Sequence, residues 1–199
     1  MTALRKTQIA LTPKAAPFAI RAERASDVVA REALLDACFG ENRQARTCQR
    51  LRDGRAPAEG LALSAVREGQ LVGTVRLWHV SAGGIPALML GPLAVEDSSR
   101  KLGVGAALMD HALAAATARG HRAVILLGDA PYYARFGFSA SKTSELSLPG
   151  PFERDRLLGL ELVEGALDGA WGMIVPTGDP LPKTKPSRAR KALLVPRVA

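Results

Sequence analysis

Cysteine, histidine and aromatic residues are scarce in this chain, and no long apolar run occurs in it. Only Cys38 and Cys48 are present among 199 residues. Two thiols exclude a disulfide framework, so a reducing cytoplasm is the expected compartment. Each is expected to pack as a buried or half-buried small hydrophobe. His79, His111 and His121 are scattered, no Cys/His spacing matches a metal site, and no metal is expected. No apolar stretch approaches the roughly 20 residues of a membrane helix. Arg5, Lys6 and Lys14 near the start are not followed by the apolar core of a secretory signal, and no membrane partner is expected.

Charge is present in excess, at +8, and a basic surplus otherwise points to nucleic acid. Its placement argues against that. Residues 1–15 carry +3 and residues 176–199 carry +5, which leaves residues 16–175 neutral. A nucleic-acid groove within the fold is disfavoured, and any such contact would run weakly through the tails, independent of sequence and sensitive to salt. The organisation expected is a basic N-terminal extension (1–15), one domain (16–175) and a Pro/Lys/Arg-rich tail (176–199) holding Pro176, Pro180, Pro182, Pro186 and Pro196, with the composition of a flexible segment.

Patterning within the domain alternates strands and helices. Residues 18–21 read as a first strand. Ser26 or Asp27 can cap a helix with the apolar stripe Val28, Leu34, Leu35 and Phe39, ended by Gly40. Residues 43–53 read as a second, Arg-rich amphipathic helix. Two β-rich runs, 61–67 and 71–78, meet at Glu68-Gly69, a hairpin signal. Gly83-Gly84 turns the chain into a strand over 87–95. A helix over 103–119 is marked by Val104, Leu108, Ala112 and Ala115, with Gly120 at its end. The apolar run 123–127 fits a strand buried on both faces. A compact turn or short helix over 131–135 and two closing strands, 157–164 and 170–175, complete the reading. The strand 87–95, the helix and the strand 123–127 make a β-α-β unit, so part of the sheet is parallel.

Residues 90–106 carry the most information. An apolar strand enters a polar loop that presents Arg100-x-x-Gly103-x-Gly105 and opens into the helix. Consecutive backbone N–H groups, two glycines permitting close approach and the positive end of a helix dipole make an anion cradle, so a phosphate-bearing ligand is expected. A dinucleotide fingerprint is set aside, because the third glycine and the acid about 20 positions later are missing.

Three segments together resemble the GNAT superfamily of acyl-CoA-dependent N-acyltransferases. The hairpin Val66-Arg-Glu-Gly-Gln-Leu-Val-Gly-Thr-Val75 looks like the family's second and third strands. Arg100-Lys-Leu-Gly-Val-Gly105 fits its Q/R-x-x-G-x-G/A cofactor motif. Gly128-Asp-Ala-Pro-Tyr-Tyr-Ala-Arg-Phe-Gly-Phe138 resembles its later motif, a Tyr four residues before Gly-Phe, and is similar to a bacterial subgroup of predicted N-acetyltransferases. The resemblance covers about residues 18–175 and leaves out both tails. It implies a single α/β domain with a mixed, mostly antiparallel sheet flanked by helices on both faces. It also implies acetyl-CoA as the acyl donor, an amine acceptor that the residues do not identify, and a homodimer as a possible assembly.

The same resemblance assigns roles. Pyrophosphate would rest on the N–H groups of Leu102, Gly103, Val104, Gly105 and Ala106, with Arg100 and Lys101 as flanking charge. The pantetheine arm would pair with Leu93, Ala94 and Val95. Pro92 cannot donate to a ladder and suits a strand bulged away from its neighbour. A backbone N–H near Val95 can hold the oxyanion. Tyr133 occupies the general-acid position, since a phenol near pKa 10 and a thiol near 8.5 are close enough for proton transfer. Tyr132, its neighbour, is the weaker candidate, and Phe136 and Phe138 belong to the core. Transfer would be direct, within a ternary complex, with no covalent enzyme intermediate.

The base is not legible. The strand over 87–95 holds no acid, which leaves Glu96, Asp97, Glu41, His79 or a water molecule. The acceptor side, 39–60, contains Arg43, Arg46, Arg50, Arg52 and Arg55, which suit either an acidic substrate or an exposed helix face. Three other readings stay open: a non-catalytic acyl-CoA-binding or regulatory module, a relative using a longer acyl chain, and a tail-mediated interaction protein.

Overall fold

The hairpin forms where the sequence places it. Strands β2 (Ala62–Arg67) and β3 (Gln70–Ala82) are joined by Glu68 and Gly69, with φ of 51° and 79°. Two consecutive left-handed residues are what a two-residue turn needs to match the twist of its strands. The computed structural model describes residues 17–181. The N-terminal extension and the tail from residue 182 onward lie outside the described residues.

β1 (Ala19–Ala22) lies beside β2 on the outer side, and β4 (Ile85–Val95) pairs antiparallel with β3. The chain then forms helix α2 (Val104–Ala118), whose start follows a short 3-10 turn, and returns as β5 (Ala123–Leu127), parallel to β4. β7 (Leu157–Glu161) closes that side antiparallel to β5. The order is β1-β2-β3-β4-β5-β7, with a short β6 (Leu146–Ser147) pairing β8 (Gly172–Pro176), and β8 also pairing the far end of β3. The sheet is therefore mixed and mostly antiparallel, as expected.

Helices cover both faces. Val104, Leu108, Met109, Ala112 and Ala116 of α2 are fully buried against Val75, Leu77 and Leu88 of the sheet. Helix α1 (Val28–Phe39) sets Leu34 and Leu35 against Ala94. Leu93 and Val95 pack toward the α2 side, and Ala94 between them faces α1, so the strand's alternation separates the two layers. In β5, Ala123, Val124, Ile125 and Leu126 are all buried, as a strand covered on both faces requires.

Three expectations change in detail. The Arg-rich segment is not one helix: 3-10 turns Glu41–Ala45 and Thr47–Leu51 are separated by an extended Arg46 (φ −67°, ψ 145°). The segment is held to a distant loop, because the Thr47 hydroxyl donates to the Pro151 carbonyl at 2.5 Å. Val28 is exposed and does not belong to the buried stripe of α1. Residues 177–181, assigned to the tail, run back beside 54–56: the Ala56 N–H donates to the Asp179 carbonyl and the Leu181 N–H to that of Gly54. Among the described residues no helix is long and apolar enough to cross a membrane.

Candidate active site

β4 and β5 are hydrogen-bond partners only over Leu88/Val124 and Met89/Ile125, after which they part. The parting begins where β4 is irregular. Gly91 and Pro92 stand opposite the single Arg76 of β3, because the register slips between Val75 paired with Leu93 and Leu77 paired with Leu90. This is the bulge that Pro92 led us to expect. The Trp78 indole N–H donates to the Gly91 carbonyl at 2.6 Å and fixes the kink from behind. A cleft of about 1120 Å³ opens between the parted strands.

The cleft wall on β4 carries backbone groups that no strand pairs, the Val95 carbonyl meeting only the Cys38 thiol, which donates to it at 3.5 Å. The Glu96 N–H donates to the Val72 carbonyl. By the alternation of an antiparallel ladder, Ala94 is then bonded to β3, while the N–H and C=O of Leu93 and Val95 point to the side that β5 has left. Of the three residues expected to face the cofactor arm, two therefore offer polar groups and Ala94 contributes only wall.

At one end lies the glycine loop. Gly103 has φ 78°, ψ 10°, a left-handed conformation that ends the 3-10 turn Asp97–Leu102 and starts α2. The first α-helical bond of α2 is the Ala107 N–H to the Gly103 carbonyl, so the preceding first-turn N–H groups are unpaired within the helix. A β-carbon on Gly105 would stand 2.9 Å from the Tyr132 hydroxyl, so any side chain there would displace Tyr132 from this approach. Arg100, Lys101, Gly103, Gly105 and Ala106 line the cleft. The Val104 side chain is buried in the core, and Leu102 turns outward, so these two bring backbone only. Arg100 is paired with Asp97 at 2.8 Å.

α3 (Ala130–Ala134) places the tyrosines on the opposite wall. The two rings meet edge to face, with centroids 4.9 Å apart. Tyr132 reaches toward Gly105, and Arg135 stacks over its ring at 4.1 Å. Tyr133 lies against Gly128, where a β-carbon would come within 2.3 Å of its ring, and packs edge to face on Phe138. Burial above all pushes the Tyr133 phenol up to about 12, aided by Tyr132 and Asp129 and opposed by Arg156. It is a protonated donor at neutral pH.

The far end is formed by Phe39, Arg43, Arg46, Thr47, Cys48 and Arg52 on one side, with Pro151, Phe152, Glu153 and Arg156 on the other. Cys38 and Cys48 are half-buried thiols, as expected, and both line the cleft. Burial pushes the Cys48 thiol up, away from thiolate. None of the four candidate bases borders the cleft. Glu96 accepts from the Ser98 hydroxyl, Asp97 holds Arg100, Glu41 is exposed, and His79 stacks with His121 elsewhere. The carboxylates that border it are Asp129 and Glu153. The sequence carries no signal for Glu153, because its loop reaches the cleft only through contacts about a hundred residues away along the chain, such as Thr47 to Pro151.

Comparison with known proteins bears on this arrangement. The family model described as the acetyltransferase (GNAT) domain matches residues 58–140. The chain is 30% identical over 157 residues to the uncharacterized N-acetyltransferase YhbS of Escherichia coli (strain K12), covering 78% of this chain and 93% of that protein. The crystal structure of the E. coli GNAT family N-acetyltransferase YhbS in complex with CoA matches with a TM-score of 0.71 at 29% identity, over 83% of this chain and 93% of that one. A GNAT family acetyltransferase from Brucella melitensis in complex with acetyl-CoA matches with a TM-score of 0.58 at 25% identity, over 81% and 93%.

Proposed function

The chain belongs to the GNAT family of N-acetyltransferases, and on that premise we propose that its cleft binds acetyl-CoA and transfers the acetyl group directly to an amine. The observation that carries the reading is the parting of β4 from β5 between a helix N-terminus at one end and a half-buried phenol on the facing wall. Pyrophosphate would take the first-turn N–H groups of α2, flanked by Arg100 and Lys101, as anions do at helix N-termini. The pantetheine arm would fill the strand position that β5 vacates, bonding the outward groups of Leu93 and Val95.

In the reaction, the amine lone pair attacks the thioester carbonyl and a tetrahedral oxyanion forms. The outward N–H of Leu93, near Val95 but farther from the α2 cradle, is the donor for that oxyanion. Collapse breaks the C–S bond, and Tyr133 gives its proton to the leaving thiolate. The same desolvation that raises the phenol's pKa also raises the thiolate's proton affinity, so the transfer stays matched within the cleft. The amine's proton leaves through water to Glu153 or bulk solvent. The raised pKa of Cys48 supports direct transfer, because a protonated thiol is a poor acyl acceptor. A homodimer belongs to the same proposal, supported by exposed Trp171, Met173 and Val175 around β8; light scattering measures it.

Calorimetric titration with acetyl-CoA tests the reading. Wild type should bind, and Gly103→Glu combined with Gly105→Glu should not, since both place a carboxylate in the anion cradle. A folded wild type that binds neither acetyl-CoA nor CoA would sink the proposal and leave the fold without this chemistry.

A further inference from the structure

Five arginines occupy the segment that covers the far end of the cleft, and four of them are already engaged. Arg43 is paired with Glu32 and Asp36. Arg46 is exposed, donates to the Phe39 carbonyl and lies over the Phe39 ring. Arg50 donates to the Pro149 carbonyl and Arg55 to that of Gly178. Arg156, across the cleft, is paired with Glu153 at 3.3 Å.

Arg52 differs. It lines the cleft, its side chain has no hydrogen-bond or ion-pair partner among the described residues, and its Nε is buried without one. A buried donor left unsatisfied costs stability, and a buried charge costs more. Here the cost is built in. Leu51, fully buried, anchors the preceding residue, and the Arg52 N–H closes the 3-10 turn onto the Gln49 carbonyl. The nearby carboxylate, Asp53, is exposed and accepts from the Gln49 amide instead. Burial accordingly lowers the affinity of the guanidinium for its proton.

The position of this cation is informative. A β-carbon on Gly91 would stand 4.0 Å from Nη1 of Arg52, so the guanidinium faces the bulge at which the strands part. Gly91 is two residues from Leu93, about 7 Å along a strand. An anion on Arg52 would thus sit a few bonds away from an amine presented to the acyl carbon.

We propose that Arg52 anchors the carboxylate of the acceptor, and that the acceptor class is small amino acids with amine and carboxylate separated by few bonds. This rests on the acetyltransferase reading of the cleft. A guanidinium takes a carboxylate through two parallel N–H bonds. With Arg43 and Arg156 already paired and Arg46 and Arg135 exposed, the unpaired charge at this end is the single half-buried guanidinium of Arg52. A monoanion balances it, whereas a phosphate dianion leaves one charge unpaired.

The test uses the full chain with acetyl-CoA and a panel of free L-amino acids, β-alanine and γ-aminobutyrate, each matched with its carboxamide. Wild type should prefer one or more free acids over their amides by about 30-fold in kcat/KM, the size of a charge-assisted hydrogen-bond pair. Arg52→Gln should reduce that ratio to near one, mainly by raising KM for the acid, and Arg52→Lys should restore part of it as a point charge. Acetyl-CoA affinity, measured by calorimetry, should be the same in Arg52→Gln, which also shows that the variant folds. Equal use of acids and amides, a preference that survives Arg52→Gln, or no turnover of any free acid while acetyl-CoA binds would each overturn the inference. Failure of wild type to bind acetyl-CoA would overturn the acetyltransferase reading and this inference with it.

Discussion

At the scale of single residues, Tyr133 and Asp27 show surroundings shifting two titratable groups in opposite directions. Tyr133 is held by the absence of a side chain at Gly128, and its phenol rises to about 12. It therefore stays protonated across any ordinary assay range. Tyr133→Phe should lower kcat by about 100-fold while leaving the KM for acetyl-CoA nearly unchanged, the expected size of a lost general acid. Steady-state kinetics with a competent amine decides this, and an unchanged kcat would reduce Tyr133 to packing. Asp27 is a buried carboxylate that accepts from the Arg21 guanidinium at 2.6 Å, the Arg24 N–H at 2.9 Å and the Ser64 hydroxyl at 3.0 Å. The Arg21 pairing above all holds its carboxyl well below the usual range. The folded state thus binds this proton less tightly than the unfolded state. The stabilisation is present above the ordinary carboxylate pKa of about 4 and is lost as pH falls below it. Asp27→Asn should cost about 2–3 kcal/mol at neutral pH, with the deficit shrinking below about pH 4 in urea titrations. A deficit independent of pH would show that packing, not charge, is responsible. Candidate roles could be read only where a local motif carries them. Tyr133, Gly103 and Gly105 sit in short patterns, whereas Arg52 and Glu153 acquire meaning only from what folds against them.

At the scale of elements, the site is made by an interruption. A β-α-β unit would ordinarily pair its two strands along their length, but β4 and β5 share two residue pairs and then diverge. Pro92 and Gly91 made the bulge readable in advance, since a residue without an N–H must sit where the ladder breaks. The hairpin, α2 and β5 were equally readable, because turn chemistry and apolar period are local properties. The segment over 43–53 was misread for the opposite reason. Its composition suits a helix, yet Arg46 is extended and the two 3-10 turns are shaped by partners across the cleft. Thr47 is the clearest of these ties, buried and bonded to the Pro151 carbonyl. Thr47→Val keeps the shape and removes the donor. It should destabilise the chain by about 1–2 kcal/mol, the cost of one buried acceptor left unpaired. It should also raise the KM for the amine more than that for acetyl-CoA, since this contact closes the acceptor end. Thermal unfolding and paired KM measurements check both parts. Equal changes in the two KM values would argue that the tie supports the whole cleft.

At the scale of the molecule, the charge reading and the sheet topology address different regions. The neutral balance of residues 16–175 is a property of the folded body, while the basic surplus falls on segments of which only 176–181 lie among the described residues. Within the body, β5 and β7 are joined to the rest of the sheet by the short β4/β5 ladder. A ligand that fills the gap contacts β4, the start of α2 and α3 at once, and so favours the folded state over every unfolded one. By linkage, acetyl-CoA at about 100 times its Kd should stabilise the fold by about 2.7 kcal/mol. For a chain of this size that corresponds to a rise in Tm of roughly 5–10 °C. The rise should grow with the logarithm of ligand concentration once the site is saturated, without a plateau. The Gly103→Glu, Gly105→Glu variant should show none of it. Amide exchange adds the spatial part. The outward N–H groups of Leu93 and Val95, which have no strand partner in the free chain, should gain protection beyond that of β1 and β2 at the far edge of the sheet. A Tm that rises equally in the double variant would mean that acetyl-CoA binds elsewhere. A rise without added protection at Leu93 and Val95 would mean that the pantetheine arm does not take the vacant strand position.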